Sequence, residues 1–373
     1  MPSPPAKIMP FIVAIIIFYD IFKITLQKII SSMLKHIAII IVGYNSKKYL
    51  TSCFSSVYQS TFKEFMIIFV DNNSTDDSAN YIEKYFPKIA IIKNKKNFGF
   101  AKANNVGIRK AIKLGYRYFF ILNPDTILDK NCIKNLLMQA NQNTILQPLI
   151  LLHKNGKKTN LINTSGNVLH YLGFSWCGDY FKNRSKFNGI KEKEITSASG
   201  AGMLLPIKIF QATGGFDELF FMYYEDLDLC WRARMAGFNI KLSPQALMWH
   251  KYQFSKNKNK MFYAERNRLM FLLKNFSVKY LLLIFPIFII NEFCIILYSL
   301  LLGKFFDKIK SYFLIFRNRK KIKKIKFKNL NESFKKSKNL VYSKISFSEI
   351  NTPLLVPYNI LLKIYWNIIY CLV

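Results

Sequence analysis

Cysteines are few and nowhere grouped. The six, at positions 53, 132, 177, 230, 294 and 371, form no CxxC or other metal-type spacing, and their scatter builds no disulfide framework. A zinc ribbon and a disulfide-stapled secreted fold are both excluded, and a reducing compartment fits. Acidic side chains are scarce as well, 21 against 55 Lys and Arg, for a formal charge of +34. That excess invites a nucleic-acid partner, but it is uneven: residues 304–344 hold fifteen Lys and Arg against two acids. These bases adjoin apolar segments and are not interleaved with stacking aromatics, so no nucleic-acid partner is expected. Also missing are a repeat of fixed period, a low-complexity linker before residue 300, and a GxGxxG fingerprint, which disfavours a nicotinamide cofactor.

What is present is apolar. With 373 residues, 51% of them hydrophobic and 16% aromatic, the chain can bury one large core or two ordinary ones. Residues 1–32 read as an apolar leader of uncertain status. Its run from Phe11 to Tyr19 is too short for a span, and no small-residue cleavage site follows, so a secretory signal is not expected. Met33 stands just before the first strand, which leaves both an amphipathic leader and an upstream start codon open.

From His36 the pattern alternates: strand HIAIIIV, turn GYNS and a helix over 48–59; strand EFMIIFVD and the polar cluster NNSTDDS; strand IAIIKN and a helix over 101–114; strand YRYFFIL, ending in NPDT. Near-continuous apolar strands alternating with helices predict an α/β fold whose mostly parallel sheet has helices on both faces. Ligands of such sheets bind beyond the carboxyl ends of the strands. Here those ends are Tyr44 and Asn45, Asp71 to Asn73, Asn97 to Phe100, and Asn123 to Asp125. From about residue 145 to 195 the pieces are shorter, and then SASGAGMLLP leads into a helix near Ile207. A helix over 225–236 stops at Gly237, and a strand leads on to His250.

Residues 220–232, FFMYYEDLDLCWR, set Glu225, Asp226 and Asp228 among aromatics. Acids in a first turn suit the helix dipole, and Asp228 to Arg232 is a favourable i, i+4 pair. A carboxylate in an apolar setting is equally suited to proton abstraction.

The series GYNSKKYLTSCFSSV, FVDNNSTDDS, NFGFAKANNVGI, ILNPDT, SGAGMLL, GGFDELFFMYYEDLDLCWRARMAG and finally His250 resembles the family 2 glycosyltransferases, in particular their rhamnosyltransferase-like branch. The resemblance covers about residues 36–275. It implies a GT-A fold, a nucleotide-sugar donor, a divalent metal (Mn²⁺ or Mg²⁺) and transfer with inversion at the anomeric carbon.

Taken residue by residue, Asp71 accepts the imide N–H of uracil or thymine in the resemblance, whereas on its own it reads equally as an Asx-turn residue closing VDNNS. Tyr44 and Asn45 are expected to line the same base pocket, and Asn73 is a further candidate nucleotide or donor contact. Gly99 lets backbone approach a ligand closely, and Asn97 and Asn104 are candidate sugar or ribose contacts. ILNPDT stands at the family's DxD metal motif with Asn123 in place of the first acid, so Asp125 alone keeps a charge there. One carboxylate plus diphosphate oxygens can hold Mg²⁺. His250 matches the family's C-terminal histidine and becomes a second metal ligand, better suited to Mn²⁺. The resemblance makes Asp226 the general base, with Glu225 orienting it or binding the acceptor. Trp231 suits core and site equally. Arg266 and Arg268 are candidate phosphate contacts or a solvated helix face. The processive relatives' QxxRW motif is missing, so a single addition is expected.

The expected organisation is a glycosyltransferase domain over 33–275, its nucleotide-binding half 33–143 and its acceptor half 144–275, followed by an apolar and basic membrane-associating region over 276–373. Residues 280–302 have the length of a transmembrane helix with only Glu292 charged, yet both flanks belong on the cytoplasmic side. Pro286 and the Asn291–Glu292 pair favour a shallow hairpin or interfacial helices, with the basic tail on anionic headgroups. The reading is a peripheral or monotopic enzyme on the cytoplasmic face of the inner or plasma membrane, with a single span over 280–302 as the alternative. It moves a sugar, rhamnose from a dTDP donor first, to a lipid-linked glycan or polysaccharide precursor. A UDP-hexose or UDP-N-acetylhexosamine donor, or a catalytically degenerate nucleotide-sugar-binding protein, are the alternatives.

Overall fold

The structure, a computed structural model, describes residues 37–251, 259–322, 324, 338–345 and 355–372. The expected leader over 1–32 lies outside the described residues. Strand β1 (Ile37–Gly43) shows why the sheet forms where it does. It is β-branched almost throughout, and the two-residue period sends Ile37, Ile39 and Ile41 into one hydrophobic core and Ala38 and Ile40 into another. Both faces are therefore covered. Strands β2 (Phe65–Asp71), β3 (Ala90–Lys93) and β4 (Tyr118–Leu122) run parallel to it in the order β3-β2-β1-β4. Helix α1 (Lys47–Tyr58) covers one face through Leu50 and Phe54. Helices α2 (Ser78–Tyr85) and α3 (Gly99–Lys113) complete the crossovers. Gly107 of α3 lets that helix press on the other face, because a Cβ there would lie 2.6 Å from Ile40 Cγ2.

Beyond β5 (Thr126–Leu128) and α4 (Cys132–Gln139), the sheet grows on the far side of β4. Strands β6 (Thr144–Lys154) and β7 (Lys157–Thr164) form a hairpin, and β8 (Asn167–His170) and β9 (Ser175–Cys177) form a small separate sheet. After the short β10 (Lys193–Glu194), β11 (Gly202–Pro206) inserts antiparallel between β4 and β6. Helices α5 (Ile207–Thr213) and α6 (Glu225–Met235) precede β12 (Asn239–His250), which lies parallel to β6. The principal strands thus share one direction, as expected, and β11 interrupts them.

Helix α7 (Lys260–Asn275) closes the body, followed by α8 (Val278–Leu301), α9 (Phe305–Asn318) and α10 (Leu355–Leu372). The hairpin expected in residues 280–302 does not form. Helix α8 continues through Pro286, because a proline removes only one helical hydrogen bond and neighbouring packing retains the rest. Asn291 and Glu292 are buried and partnered: Tyr358 donates to Asn291 Oδ1 at 3.0 Å, Lys308 lies 2.8 Å from Glu292 Oε2, and Arg268 and Tyr312 also donate to Glu292. Tyr280, near the start of α8, donates to Tyr171 O at 2.9 Å, so the helix lies along the body. After α9, strand β13 (Val341–Tyr342) returns to pair with β8.

Candidate active site

The strand ends come together as the pattern predicts, with an open cleft of about 510 Å³ lined by Asn45, Lys47, Lys48, Thr75 and Asp76. Tyr44 is exposed beside it, and Asn45 Oδ1 accepts from Thr75 N at 2.8 Å. Asp71 is buried at the end of β2 and accepts from Ser74 N, three residues on, at 3.3 Å, one residue beyond the reach of an Asx-turn; Asn73 follows in left-handed backbone, φ 68°. The organiser of this edge is Asn72, which sequence reasoning passed over. Its Nδ2 donates to Asn97 Oδ1 (2.9 Å) and Gly99 O (3.2 Å), while its Oδ1 accepts from Phe98 N (3.0 Å). The signal lay in its place directly after Asp71.

Three residues expected to meet the donor on this side have protein partners in the structure. The Asn97 carbonyl is engaged with Asn72 and with Gly99 N, holding the loop together. Gly99 is required by its φ of 78° and by Phe221, whose ring and carbonyl a Cβ would meet at 2.5 Å, so the close approach is to protein. Asn104 is fully enclosed in α3, where Nδ2 caps Phe100 O at 2.9 Å, and it presents no face to a sugar.

Asp125 and His250 are brought together by the antiparallel pairing of β5 with β12, in which Thr126 faces His250. Asp125 Oδ1 and His250 Nε2 are 3.2 Å apart, and Asn163 Oδ1, 3.1 Å from Nδ1, turns the ring so that Nε2 faces the carboxylate. Two ligands at right angles on an octahedral ion with bonds of about 2.1 Å lie about 3 Å apart, so the pair suits one shared Mn²⁺ or Mg²⁺. Among the described residues no group of three or more His, Cys, Asp and Glu converges in this way, so the remaining ligands of such an ion would come from donor and water. Asn123 contributes backbone: its N–H donates to Ala201 O at 3.1 Å, and its carbonyl accepts from Thr126 Oγ1 at 2.6 Å.

Asp226 sits in the first turn of α6. Its Oδ2 accepts from Gly200 N (2.9 Å) and from Asn167 Nδ2 (3.3 Å), and Oδ1 from Leu227 N (2.7 Å). Asn167 carried no sequence signal, since it comes from the irregular stretch after residue 145. The turn Ser199–Ala201 is thus shared, binding Asp226 through Gly200 and the Asn123–Asp125 turn through Ala201. Burial raises the Asp226 carboxyl above its ordinary range, against the two backbone N–H groups that favour its charge. Burial raises Glu225 well above that range, helped by the adjacent charge of Asp226, and Glu225 Oε2 has no hydrogen-bond partner among the described residues.

Asp228 is buried more completely than either and behaves oppositely. Burial would raise its carboxyl, but Arg232 (2.7 Å) and Lys274 (2.9 Å) outweigh that and hold it below the usual range. The expected Asp228–Arg232 pair is present. Trp231 is core, 1% exposed. Neither arginine of AERNRL is placed to meet a phosphate: Arg268 is fully buried against Glu265 and Glu292, and Arg266 donates to the carbonyls of Leu219 (3.1 Å) and Phe220 (2.7 Å). The loop entering α6 is strained, with Phe221, Tyr223 and Tyr224 all at positive φ, 65°, 66° and 70°. Each such residue costs about 1–3 kcal/mol, which the surroundings must offset.

Residues 38–210 match the model of the family described as Glycosyl transferase family 2. The chain carries a family 2 glycosyltransferase domain. Over 216 residues it is 30% identical to the low-salt glycan biosynthesis hexosyltransferase Agl10 of Haloferax volcanii, covering 57% of this chain and 66% of that protein. It is 28% identical over 109 residues to glycosyltransferase GlyG of Streptococcus pneumoniae, covering 28% of this chain and 35% of that one. The N-acetylglucosaminyl-diphospho-decaprenol L-rhamnosyltransferase of Mycobacterium tuberculosis is 25% identical over 234 residues, 57% of this chain and 75% of that protein. Among solved structures, GalNAc-T7 with UDP, GalNAc and Mn²⁺ superposes with a TM-score of 0.54 at 16% identity, over 66% of this chain and 48% of that one. That likeness bears on the fold, which is GT-A-like.

Proposed function

We propose that this glycosyltransferase domain transfers one sugar, with inversion, from a nucleotide-sugar donor to an acceptor hydroxyl. The observation that carries the reading is the shared turn Ser199–Ala201, which ties a raised-pKa carboxylate, Asp226, to the strand end that presents Asp125. The acceptor oxygen attacks C1 as Asp226 takes its proton, the C1–O bond to phosphate breaks, and the nucleoside diphosphate leaves with the bonding pair. Asp125 and His250 would hold a divalent ion, which when bound neutralises charge on the departing diphosphate. Asp71 meets the base, and Lys47 and Lys48 line the cleft beside it. A carboxylate accepts the imide of thymine or uracil equally, so rhamnose from dTDP-rhamnose and a UDP-hexose or UDP-N-acetylhexosamine are both compatible donors.

A lipid-linked acceptor is supported by the C-terminal helices. Leu282, Phe285, Phe293, Leu301, Phe306 and Phe316 are all more than half exposed, and Lys310, Arg317, Lys320 and Lys321 are exposed near them. By length and composition α8 is able to cross a membrane. Its contacts to Tyr171 and Arg268 hold it along the body, which favours lying in the interface on anionic headgroups, facing the cytoplasm.

The test is slow donor hydrolysis and transfer with Mn²⁺ or Mg²⁺ across dTDP-rhamnose, UDP-glucose, UDP-galactose and UDP-N-acetylglucosamine, alongside Asp125→Ala. Metal-dependent release from one donor, lost in the variant, establishes the reading and names the sugar. No release from any donor, with UDP or dTDP still raising the melting temperature, would leave a nucleotide-sugar-binding protein.

A further inference from the structure

Resting on that reading, we propose that Asn267 of α7 is a positioning residue for Asp226, acting through the strained loop that enters α6. Asn267 is fully buried, and its Nδ2 donates to three carbonyls of that loop, Phe220 (2.9 Å), Met222 (2.8 Å) and Tyr223 (2.7 Å). Two N–H bonds shared among three oxygens fix the orientation of three of the six peptides between Phe220 and Asp226. The amide cannot rotate away, because Arg266 Nε donates to its Oδ1 at 2.8 Å while the same guanidinium holds Leu219 O and Phe220 O. Carbonyls turned inward in this way are what left-handed residues present, so the amide offsets the strain at Phe221, Tyr223 and Tyr224.

The loop also touches the donor side. Phe221 O accepts from Ala101 N at 3.2 Å, its ring fills the space above Gly99, and it stacks on Tyr263 of α7 at 5.4 Å. One helix therefore sets the base relative to the donor loop. The opposite side of α7 is anchored: Arg268 pairs with Glu265 and Glu292, and Lys308 with both acids, tying it to α8 and α9. Lys274 and Asn275, its last two residues, hold Asp228 two residues past the base, at 2.9 Å each. Asn267 touches neither Asp226 nor the cleft in this structure, so its effect is on alignment.

The experiment compares Asn267→Leu, which keeps the volume and removes the donors, with wild type in steady-state transfer over pH. We expect kcat to fall about a hundredfold, the cost of misplacing a reacting group by roughly 1 Å. Donor KM and the thermal shift given by UDP or dTDP should stay within about twofold. The acid limb of the pH profile should move to higher pH as Asp226 loses its alignment with the Gly200 and Leu227 N–H groups. A kcat within about threefold of wild type, or kcat and donor affinity falling together with an unmoved acid limb, would overturn the proposal. Should Asn267→Leu not fold, Arg266→Met must show the same split more weakly and Arg266→Lys must restore it; Arg266→Met with wild-type kcat overturns it equally. Should wild type itself transfer nothing, the reading of the function fails instead. The clamp is then judged by amide exchange over residues 219–225, which must quicken in Asn267→Leu while the sheet stays protected.

Discussion

Three carboxylates share the first turn of α6 and meet opposite fates. Asp228 and Glu225 are buried and Asp226 partly so, yet Asp228 is held below its ordinary range and the other two are pushed above it. Burial acts on all three in the same direction, so partners make the difference. Asp228 has two cations and an amide, Asp226 has N–H dipoles, and Glu225 Oε2 has no partner among the described residues. A helix can thus present a spent acid and a reactive one two residues apart, provided that its next turn and a neighbouring helix supply cations to only one of them.

The comparison can be broken in order of size. Asp226→Asn keeps shape and hydrogen-bond acceptor but cannot take a proton, so transfer should fall about 10²–10⁴-fold with nucleotide binding intact, measured by kinetics and thermal shift. Asp228→Asn leaves Arg232 buried without its anion and Lys274 with Asp217 alone, and should destabilise by about 3–5 kcal/mol in urea unfolding. Glu225→Gln should do the reverse, stabilising by about 1–3 kcal/mol at pH 7, because among the described residues no cation offsets the cost of its buried charge. The sign follows from linkage: a raised carboxyl favours the fold below its unfolded pKa near 3.8–4.5 and loses that contribution as pH rises through the folded value. The Glu225→Gln gain should therefore vanish at pH 3. The depressed carboxyl of Asp228 does the opposite, its contribution being lost as pH falls through its folded value. The smallest effect is on the shape of the activity profile, whose acid limb should lie above the usual carboxylate range and flatten in Asp226→Asn.

Much of this was legible from residue order. The run IAIIIV can only be a strand with two covered faces, and the i, i+4 spacing of Asp228 and Arg232 predicted their pair. The ED block located Asp226. What stayed hidden depends on orientation. Strand β11, GMLLP, is buried at every position and reads alike parallel or antiparallel, so its reversed insertion leaves no trace in pattern. Asn97, Gly99 and Asn104 were matched to ligand roles by residue type, but whether an amide faces solvent or a neighbouring peptide is decided by the loop that arrives opposite, here Asn72 and Phe221. Pro286 suggested a break because local propensity was weighed without the packing of α8 on α7 and α10.

The pairing of β5 with β12 has a temporal side. Asp125 and His250 are 125 residues apart in the chain, joined by a ladder of three residue pairs. A nascent chain that has released the whole of the parallel β1–β4 unit carries Asp125 without its partner, and contacts so distant in sequence close late because of the chain entropy they must overcome. The couple thus marks how far folding has advanced: it forms only once His250 has joined the sheet beside Thr126.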